Sequence, residues 1–278
     1  MKTTVSIVTI SYNAAAEIEK TIQSVLTQTY TDYEYVFIDG ASKDRTVEII
    51  ESYREAFEAK GITYRVYSEP DKGIYDAMNK GIDKTCGEWT LMLNAGDVFV
   101  DASVLMDVFD GIGYDADVVY GNTVFQETCK GITYYKRVPA RSLNRFDEGM
   151  TFCHQSVFVR SEVLKKYPFD MSFKIVADFD QFTRMLRDGV PFAHIDTYVS
   201  VFDGSGVSMQ KPEATLQEYD RVRKHEGVTP KRKFVVKVFM GVKYRLRNVV
   251  RNCLPQLFYS SRRGWMKTKP VDMNLHQN

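Results

Sequence analysis

The sequence predicts an α/β fold in which a mostly parallel, Rossmann-like sheet carries helices on both faces. Three observations lead to this prediction. Strand-type and helix-type patterns alternate over residues 1 to about 125, acidic residues follow several predicted strands, and no internal repeat or low-complexity segment interrupts the pattern. Such alternation is typical of strands joined by crossover helices. With 278 residues and 44% apolar content, the chain can bury a substantial core.

The first two strand–helix units are the clearest. Val5–Ile10 is a short apolar run rich in β-branched residues, and Asn13 after it is a candidate helix cap. Apolar residues then recur at helical spacing, at Ile18, Ile22, Val25 and Leu26. A second strand is predicted at Tyr35–Ile38, followed by another helix. One face of that helix carries Val47, Ile50, Tyr53 and Phe57.

Two more strands complete the predicted parallel part. They are Tyr64–Tyr67 and Trp89–Leu93, and the helix between them is marked by apolar residues at Ile74, Met78 and Ile82. Beyond residue 125 the pattern is looser. It predicts strands near Thr133–Val138, Gln155–Arg160 and Ala193–Phe202, and a helix near Phe179–Arg187.

The formal net charge of +1 conceals an uneven distribution. Residues 231–267 contain eleven Lys and Arg and no acid, which leaves 26 basic and 36 acidic residues in the rest of the chain. On a helical projection this segment is amphipathic, with an apolar face that includes Val235, Phe239, Val242 and Leu246. A basic segment beside an acidic body favours an anionic membrane surface, and no recognition module supports nucleic acid. The alternative is that the segment packs on the protein's own body or on a second subunit.

Three carboxylates follow predicted strands. Asp39 ends the second strand, Asp71 follows the third and Asp97 follows the fourth. Because ligands of open α/β sheets bind at the carboxyl ends of the strands, these groups are expected to converge on one crevice. Carboxylates there accept hydrogen bonds from ribose hydroxyls or base N–H groups. Each Asp alone is better explained as a turn or cap residue, but three equivalent positions favour a nucleotide site.

Seven segments resemble, in order, the motifs of glycosyltransferase family 2, especially its bacterial surface-polysaccharide branch. They read VSIVTISYN, FIDGASKDRT, SEPDKGIYDAMNKGI, LMLNAGD, HQSVFVR, IVADFDQFTRML and FDGSGVS, over roughly residues 4–209. The resemblance implies a GT-A fold. Residues 1–125 would then form the nucleotide-sugar-binding half, 126–228 the acceptor-binding half, and 229–278 a basic amphipathic tail.

The resemblance also implies a donor site. Thr9 and Tyr12 would line the base pocket, Asp39 would bond the base or ribose, and Asp71, with Lys72 beside it, would support the nucleoside. Asp39 can accept a hydrogen bond from uracil, thymine or guanine. The expected donor is therefore a nucleotide diphosphate sugar, with UDP, GDP and dTDP all open.

The loop Asn94–Asp97 corresponds to the acidic metal motif of the family. Asp97 matches the metal-binding carboxylate, Asn94 and Ala95 belong to the donor site, and Asn94 and Gly96 stand where the family often has Asp. Mg²⁺ and Mn²⁺ bind few protein oxygens when substrate phosphates supply others, so either is the expected cofactor. Plain turn chemistry is the alternative explanation for this loop.

Asp178 matches the family's catalytic base. An acceptor hydroxyl must lose its proton as it attacks the anomeric carbon, and a carboxylate at this position would accept it. Asp180, two residues later, is expected to point elsewhere on the helix. His154 and Gln155 also fit the family pattern and are candidates for sugar or acceptor contacts. Charge matching at a helix start is the alternative for the two acids, and a structural role is the alternative for His154.

The expected function is that of an inverting, metal-dependent glycosyltransferase acting on a lipid-linked glycan acceptor. The alternative is a catalytically inactive, membrane-docked scaffold of the same fold, for which Asn94 is the main argument. No G-x-G-x-x-G and no glycine-rich basic loop follows the first strand, which disfavours a dehydrogenase and a nucleotidyltransferase. The first apolar run, Val5–Ile10, is shorter than a signal-peptide core, and no run reaches the length of a spanning helix. We therefore expect a cytoplasmic protein, peripheral on the inner face of the plasma membrane. Its oligomeric state is open, with a homo-oligomer among the options.

Overall fold

The structure, a computed structural model, describes residues 4–111, 113–204, 211–228 and 265–267. Within these ranges ten strands form one sheet. They are β1 (Val5–Ser11), β2 (Tyr33–Asp39), β3 (Thr63–Ser68), β4 (Trp89–Met92), β5 (Val98–Phe99), β6 (Val118–Cys129), β7 (Ile132–Val138), β8 (Val157–Arg160), β9 (Phe192–Asp203) and β10 (Trp265–Met266).

The two sides of the sheet differ in strand direction. β3, β2, β1 and β4 lie side by side and are parallel. β8 pairs antiparallel with both β4 and β6, and β7 and β10 continue antiparallel beyond β6. β9 runs parallel to β6 and antiparallel to β5. Because β6 crosses residue 125, one strand contributes to both of the halves expected from the sequence.

Helices cover both faces of the sheet. They are α1 (Ile18–Leu26), α2 (Thr46–Ser52), α3 (Arg54–Glu58), α4 (Ile74–Lys84), α5 (Val104–Phe109), α6 (Ser161–Lys166), α7 (Ala177–Arg187) and α8 (Pro212–His225), with 3₁₀ turns at Leu143–Glu148 and His154–Ser156. Side chains of a strand alternate between the faces. Val5 and Ile7 share a buried cluster with α1, α2, α3 and α5, whereas Val8 and Ile10 share one with α4, α6, α7 and α8. The predicted α/β fold with helices on both faces is confirmed.

The four parallel strands lie where their apolar runs predict them, but two local predictions are wrong. Asn13 does not cap α1, which begins at Ile18 with Glu17 at the N-cap position. Asn13 instead adopts a φ of 49°, and its side chain accepts a hydrogen bond from the Lys43 N–H, so it holds the loop after β2. The helix predicted around Tyr53 is two short helices, α2 and α3, which meet at that residue.

The parallel strands bring three loops to one edge of the sheet. β1 ends at Ser11, β2 ends at Asp39, and the loop Leu93–Asp97 follows β4. Because parallel strands share a carboxyl end, the predicted functional loops meet there. Within the described ranges, no helix has the length and apolar content that crossing a bilayer requires. The predicted basic tail, 229–278, lies outside the described residues apart from 265–267.

Candidate functional site

Two adjoining cavities lie at the carboxyl edge of the parallel strands. The larger, about 360 Å³, is lined by residues that follow β1 and residues around the start of α4. The other, about 270 Å³, is lined by residues from the turn at His154 and from the start of α7. Ile74 and Asn94 line both cavities, so the two adjoin at these residues, and together they are called the cleft.

Tyr12, Asp71, Asn94 and Ala95 line the larger cavity, as expected for a donor site. Tyr12 is 64% exposed, which leaves a face of its ring open to a planar ligand. Gly40 lets two of these side chains approach each other. A Cβ atom there would lie 2.4 Å from Asp71 Oδ2 and 3.2 Å from Tyr12 Cδ2, so a larger residue would displace them.

Thr9, Asp39 and Lys72 are not among the residues that line this cavity. Thr9 and Asp39 are fully buried beneath it, and Lys72 is exposed at a small neighbouring cavity of about 90 Å³. The oxygens of Asp39 accept hydrogen bonds from three serine hydroxyls, those of Ser11, Ser42 and Ser68. The carboxylate therefore orders the loops around it, and contact with a base would require one of these donors to be exchanged.

Asp178 and His154 line the smaller cavity together. Asp178 is the second residue of α7, and its Oδ2 atom lies 3.2 Å from His154 Nδ1. On the other side of the imidazole, Nε2 lies 3.2 Å from Asn94 Nδ2. In the tautomer that carries the proton on Nδ1, His154 donates to Asp178 and accepts from Asn94. The ring therefore orients one carboxylate oxygen at the cavity.

Gln155 connects the smaller cavity to Asp97. Its Nε2 donates to Asp97 Oδ2 at 3.0 Å, and the backbone N–H of Asp203 donates to Asp97 Oδ1 at 3.3 Å. Asp97 is only 5% exposed, and burial raises the pKa of its carboxyl group to about 6, while the Gln155 hydrogen bond acts in the opposite direction. A nearby cation would favour the ionised form of this group.

The oxygens of this loop fit a hard divalent ion. Gly96, at a φ of 102°, allows a tight turn that is closed by a hydrogen bond from the Asp97 N–H to the Asn94 carbonyl at 3.0 Å. Asn94 Oδ1 is buried, and among the described residues it has no hydrogen-bond partner. Mg²⁺ and Mn²⁺ prefer carboxylate and amide oxygens, so a carboxylate and an unpaired amide oxygen suit them.

Asp180 does not line the cleft, as expected for a residue two positions after the predicted base. It is buried, and its Oδ2 accepts a hydrogen bond from Arg184 Nε at 2.8 Å. With His225 and Glu226 it forms a cluster whose ligand-type atoms lie within 4.8 Å of one another. Glu226 also pairs with Arg187. Because arginines already pair with both carboxylates, the cluster serves to tie α7 to the end of α8.

Several residues that the sequence did not identify complete the site. Tyr75 and Tyr219 line the smaller cavity, and burial raises the pKa of both phenols. Glu218, on α8, accepts hydrogen bonds from the N–H groups of the three residues before α7, which are Lys174, Ile175 and Val176. N–H groups at a helix start need acceptors. Glu218 supplies them from more than 40 residues away, a contact that no local pattern predicts.

The chain is similar in sequence to known glycosyltransferases. The family model described as "Glycosyl transferase family 2" matches residues 6–187. A PGL/p-HBAD biosynthesis glycosyltransferase of Mycobacterium tuberculosis is 32% identical over 178 residues, a match that covers 63% of this chain and 66% of that protein.

Two solved structures share the fold. Staphylococcus aureus TarS 1-349 in complex with UDP-GlcNAc has a TM-score of 0.62 at 17% identity, over 92% of this chain and 75% of that chain. The mannosyltransferase PcManGT of Pyrobaculum calidifontis, in complex with GDP-Man and Mn²⁺, also has a TM-score of 0.62, at 15% identity, over 94% and 75%. These likenesses show the GT-A fold. Since the family match runs from β1 to the end of α7 and includes both Asp97 and Asp178, the chain belongs to glycosyl transferase family 2.

Proposed function

We propose that this protein is an inverting, metal-dependent glycosyltransferase. It would move a sugar from a nucleotide diphosphate sugar to a hydroxyl group of a lipid-linked glycan acceptor in bacterial surface-polysaccharide or glycolipid biosynthesis. The observation that carries the proposal is that the two cavities adjoin. A cavity with groups suited to a nucleoside lies directly beside a second cavity that contains a hydrogen-bonded carboxylate, Asp178.

The larger cavity suits the donor nucleoside. Tyr12 offers an exposed aromatic face for stacking, and Asp71 offers a carboxylate that accepts hydrogen bonds from hydroxyl or N–H groups. Lys72 adds a positive charge close to the same edge. TarS and PcManGT, which share the fold, bind UDP-GlcNAc and GDP-Man, and both ligands are nucleotide sugars.

Asp178 would act as the general base. One of its oxygens accepts a hydrogen bond from its neighbour's backbone, Phe179 N–H at 2.9 Å, and the other faces His154 at 3.2 Å. An acceptor hydroxyl in the cavity would transfer its proton to this carboxylate as its oxygen attacks the anomeric carbon. Attack opposite the departing nucleotide diphosphate is a single displacement, so the anomeric configuration inverts. Positioned bases of this kind contribute about 10²–10⁴-fold to the rate.

Asp97 and Asn94 Oδ1 are the groups that would hold Mg²⁺ or Mn²⁺. When bound, such an ion stabilises the negative charge that develops on the leaving diphosphate. Gln155, which donates to Asp97 at 3.0 Å, would keep that carboxylate in position.

The basic tail would place the enzyme at its acceptor. Residues 231–267 carry eleven positive charges without an acid, and each Lys or Arg near an anionic leaflet contributes about 1 kcal/mol to binding. Lipid-linked acceptors lie in that leaflet. We therefore infer a cytoplasmic protein that is peripheral on the inner face of the plasma membrane.

Replacing Asp178 by Asn tests the assignment of the base. Transfer of sugar from a radiolabelled nucleotide sugar to a bacterial lipid extract should fall by at least about 10²-fold, because Asn cannot accept the proton. Affinity for the donor nucleotide should stay within about twofold, since the residue contacts the acceptor side. The matched control is Glu162→Gln, which removes an exposed carboxylate from α6. Undiminished transfer by the Asp178→Asn protein would remove this residue from the mechanism.

A thermal-shift panel identifies the donor and separates the enzyme from an inactive scaffold. UDP, GDP and dTDP are each added with and without Mn²⁺, because a ligand at a hundred times its Kd adds about 2.7 kcal/mol of stability. One nucleotide should raise the Tm, and more strongly with Mn²⁺. The complete absence of a shift, together with no hydrolysis of nucleotide sugars, would favour the scaffold.

A further inference from the structure

A third cavity, of about 290 Å³, adjoins the cavity of Asp178 and shares no wall residue with the larger, donor cavity. The two share four wall residues, which are Met150, Phe152, Cys153 and Phe202. A molecule whose hydroxyl group lies at Asp178 can therefore extend directly into the third cavity. Neither the reaction itself nor the donor requires this space.

The walls of the third cavity are largely apolar. Phe125 and Phe202 lie with ring centroids 5.8 Å apart, and Val138 and Met150 add aliphatic surface. Val138 is 42% exposed. Among the described residues only two other large apolar side chains are exposed, and both line the larger cavity, where a ligand is expected. Val138 therefore resembles those two residues, because all three are exposed apolar side chains that line a cavity. Exposed apolar surface in a concavity is typical of a ligand site.

The cavity offers few hydrogen-bonding groups. Thr151 is 4% exposed, and among the described residues its hydroxyl oxygen has no hydrogen-bond partner. The hydroxyl of Thr123 is already bonded to Ser156 at 2.8 Å, and an arginine, Arg141, donates through Nη2 to a backbone carbonyl of the cavity wall. A second sugar ring would bring several hydroxyls that need partners, and the exposed guanidinium group of Arg141 is the main group of these walls that could supply them. An apolar group with at most one polar atom matches these walls better.

The size of the cavity agrees with that choice. An apolar cavity of about 150 Å³ is large enough to bind benzene, so about 290 Å³ accommodates one ring with substituents. A short chain of isoprene or acyl carbons occupies a similar volume.

We propose that this cavity is an acceptor subsite that binds a neutral apolar aglycone attached to the acceptor sugar. The proposal rests on the proposed transferase function and makes it more specific. If the aglycone lies next to the sugar whose hydroxyl reaches Asp178, that sugar is at or near the reducing end. The enzyme then adds a sugar early in assembly, to a short glycoside, rather than to the distal end of a long glycan. The reaction that precedes it attaches the first sugar to an apolar alcohol or phenol.

The test compares glycosides that differ only in their aglycone. Methyl and phenyl glycosides of glucose, galactose, mannose and rhamnose are titrated into the full chain with nucleotide and Mn²⁺ present, and binding is followed by saturation-transfer NMR. For at least one sugar, the phenyl glycoside should bind at least about tenfold tighter than the methyl glycoside, because its ring is removed from water. Equal affinities, or no measurable binding of any phenyl glycoside, would overturn the proposal.

A variant locates the effect. Val138→Asp places a charge in the cavity, so the phenyl preference should shrink to about twofold or less. The matched control, Thr63→Asp, puts the same charge at an exposed position on β3, at the opposite edge of the sheet, and should keep the full preference. A preference that survives Val138→Asp would show that the ring binds elsewhere.

The nucleotide-induced thermal shift, measured on the same samples, is independent of the aglycone. If it is present while the phenyl preference is absent, the subsite fails and the transferase stands. If it is absent, the proposed function itself fails.

Discussion

Asp97 is buried beside Gln155, and burial raises the pKa of its carboxyl group from 3.8 to about 6. For an acid, a raised pKa means that the folded protein binds the proton more tightly than the unfolded chain does. The cost of ionising Asp97 is therefore absent below pH ~4, grows between pH ~4 and ~6, and is fully present above pH ~6. Without a cation, this carboxylate lowers the stability of the fold at neutral pH.

Asp97→Asn should change this pH dependence. Because Asn cannot ionise, the free energy of unfolding of the variant relative to wild type should increase by on the order of 2 kcal/mol between pH ~4 and pH ~7.5. Urea denaturation at both pH values, in EDTA, measures the difference. The substitution also removes one hydrogen-bond acceptor, but this cost is the same at both pH values. It therefore cancels when the two differences in unfolding free energy are compared. Asp83→Asn, which removes an exposed carboxylate from α4, is the control and should show no such trend. A pH-independent difference for the Asp97 variant would show that its carboxyl pKa is not raised.

The same pair of proteins tests the metal assignment. Mn²⁺ with the correct nucleotide should raise the Tm of the wild-type protein, because the ion offsets the charge of Asp97. The Asp97→Asn protein should respond to the nucleotide alone but gain little from Mn²⁺. An equal gain from Mn²⁺ in both proteins would mean that the ion binds without this carboxylate.

At the scale of single residues, the sequence predicted where a carboxylate lies better than which groups it contacts. Asp178 and Asp71 line the cleft, as their motifs indicate. Asp39 is also at a strand end, yet three serines from separate segments surround it and bury it. Whether a carboxylate faces a ligand or a loop depends on such long-range partners. Burial of that kind is not encoded in the spacing of one motif.

At the scale of elements, the position of Asp178, the proposed base, depends on how α7 begins. No side chain of the local sequence caps this helix. The N–H groups of the residues just before it instead donate to Glu218, with donor–acceptor distances of 2.8 Å from Ile175 N and 3.2 Å from Val176 N. Since Asp178 is the second residue of the helix, any movement of this helix start moves the carboxylate. Glu218 is thus a positioning residue that lies outside the cavity lining.

Glu218→Ala should reduce both stability and turnover. Hydrogen bonds to a charged acceptor each contribute about 1.5–3 kcal/mol, so we expect a loss of roughly 2 kcal/mol in urea denaturation. The kcat for transfer should fall at least about tenfold while the nucleotide-induced thermal shift is kept, because the donor cavity is formed by other elements. Glu218→Gln keeps an acceptor oxygen and should recover part of both losses. A purely structural role would lower stability without lowering kcat in the folded enzyme. Gln217→Ala, at an exposed position on the same helix, is the matched control.

The elements that the sequence predicted are those with one dominant pattern. β1 and β2 are buried along their whole length, and most of their residues are apolar. β6 begins in the same way, but Gly121, Asn122 and Thr123 interrupt its apolar run. Asn122 is tolerated there because its side chain bonds to Asp196 and to the Ala140 N–H. Pairing with neighbouring strands, not local preference, makes this segment a strand.

α8 was missed for a different reason. Only two of its residues are buried, Thr215 and Val222, so it has no broad apolar face. Val222 and Tyr219 pack on the apolar cluster that also contains residues of α7, and its other contacts are polar, from Glu218 to the start of α7 and from Arg223 to two backbone carbonyls before β8. Hydrophobic periodicity gives little sign of a helix with so few apolar contacts, and it does not record hydrogen bonds.

At the scale of the whole molecule, the charge is divided between an acidic body and a basic segment, 231–267. The net charge of the whole chain is therefore near zero although its two parts carry net charges of opposite sign. Close to an anionic leaflet the basic segment is attracted and the body repelled, so the segment would dock first. Such binding weakens as salt screens the charges, with a Debye length of about 8 Å at physiological ionic strength. This salt dependence distinguishes a charge-driven association from one that depends on apolar burial.

Vesicle flotation tests the role of the tail. The full chain should float with phosphatidylglycerol vesicles at low salt, much less at 0.5 M salt, and poorly with phosphatidylcholine vesicles, because each basic residue contributes about 1 kcal/mol at an anionic surface.

Truncation after residue 228 would also remove β10, which pairs with β7, so it confounds docking with the loss of a strand. The variant that combines Lys237→Gln, Arg247→Gln and Arg251→Gln leaves β10 in place and should lose most of its binding. Lys43→Gln with Lys60→Gln, on the acidic body, is the control and should float like wild type. If the tail variant floats as well as wild type, charge on the tail does not bring this enzyme to the membrane, and the apolar face of the segment or another surface must do so.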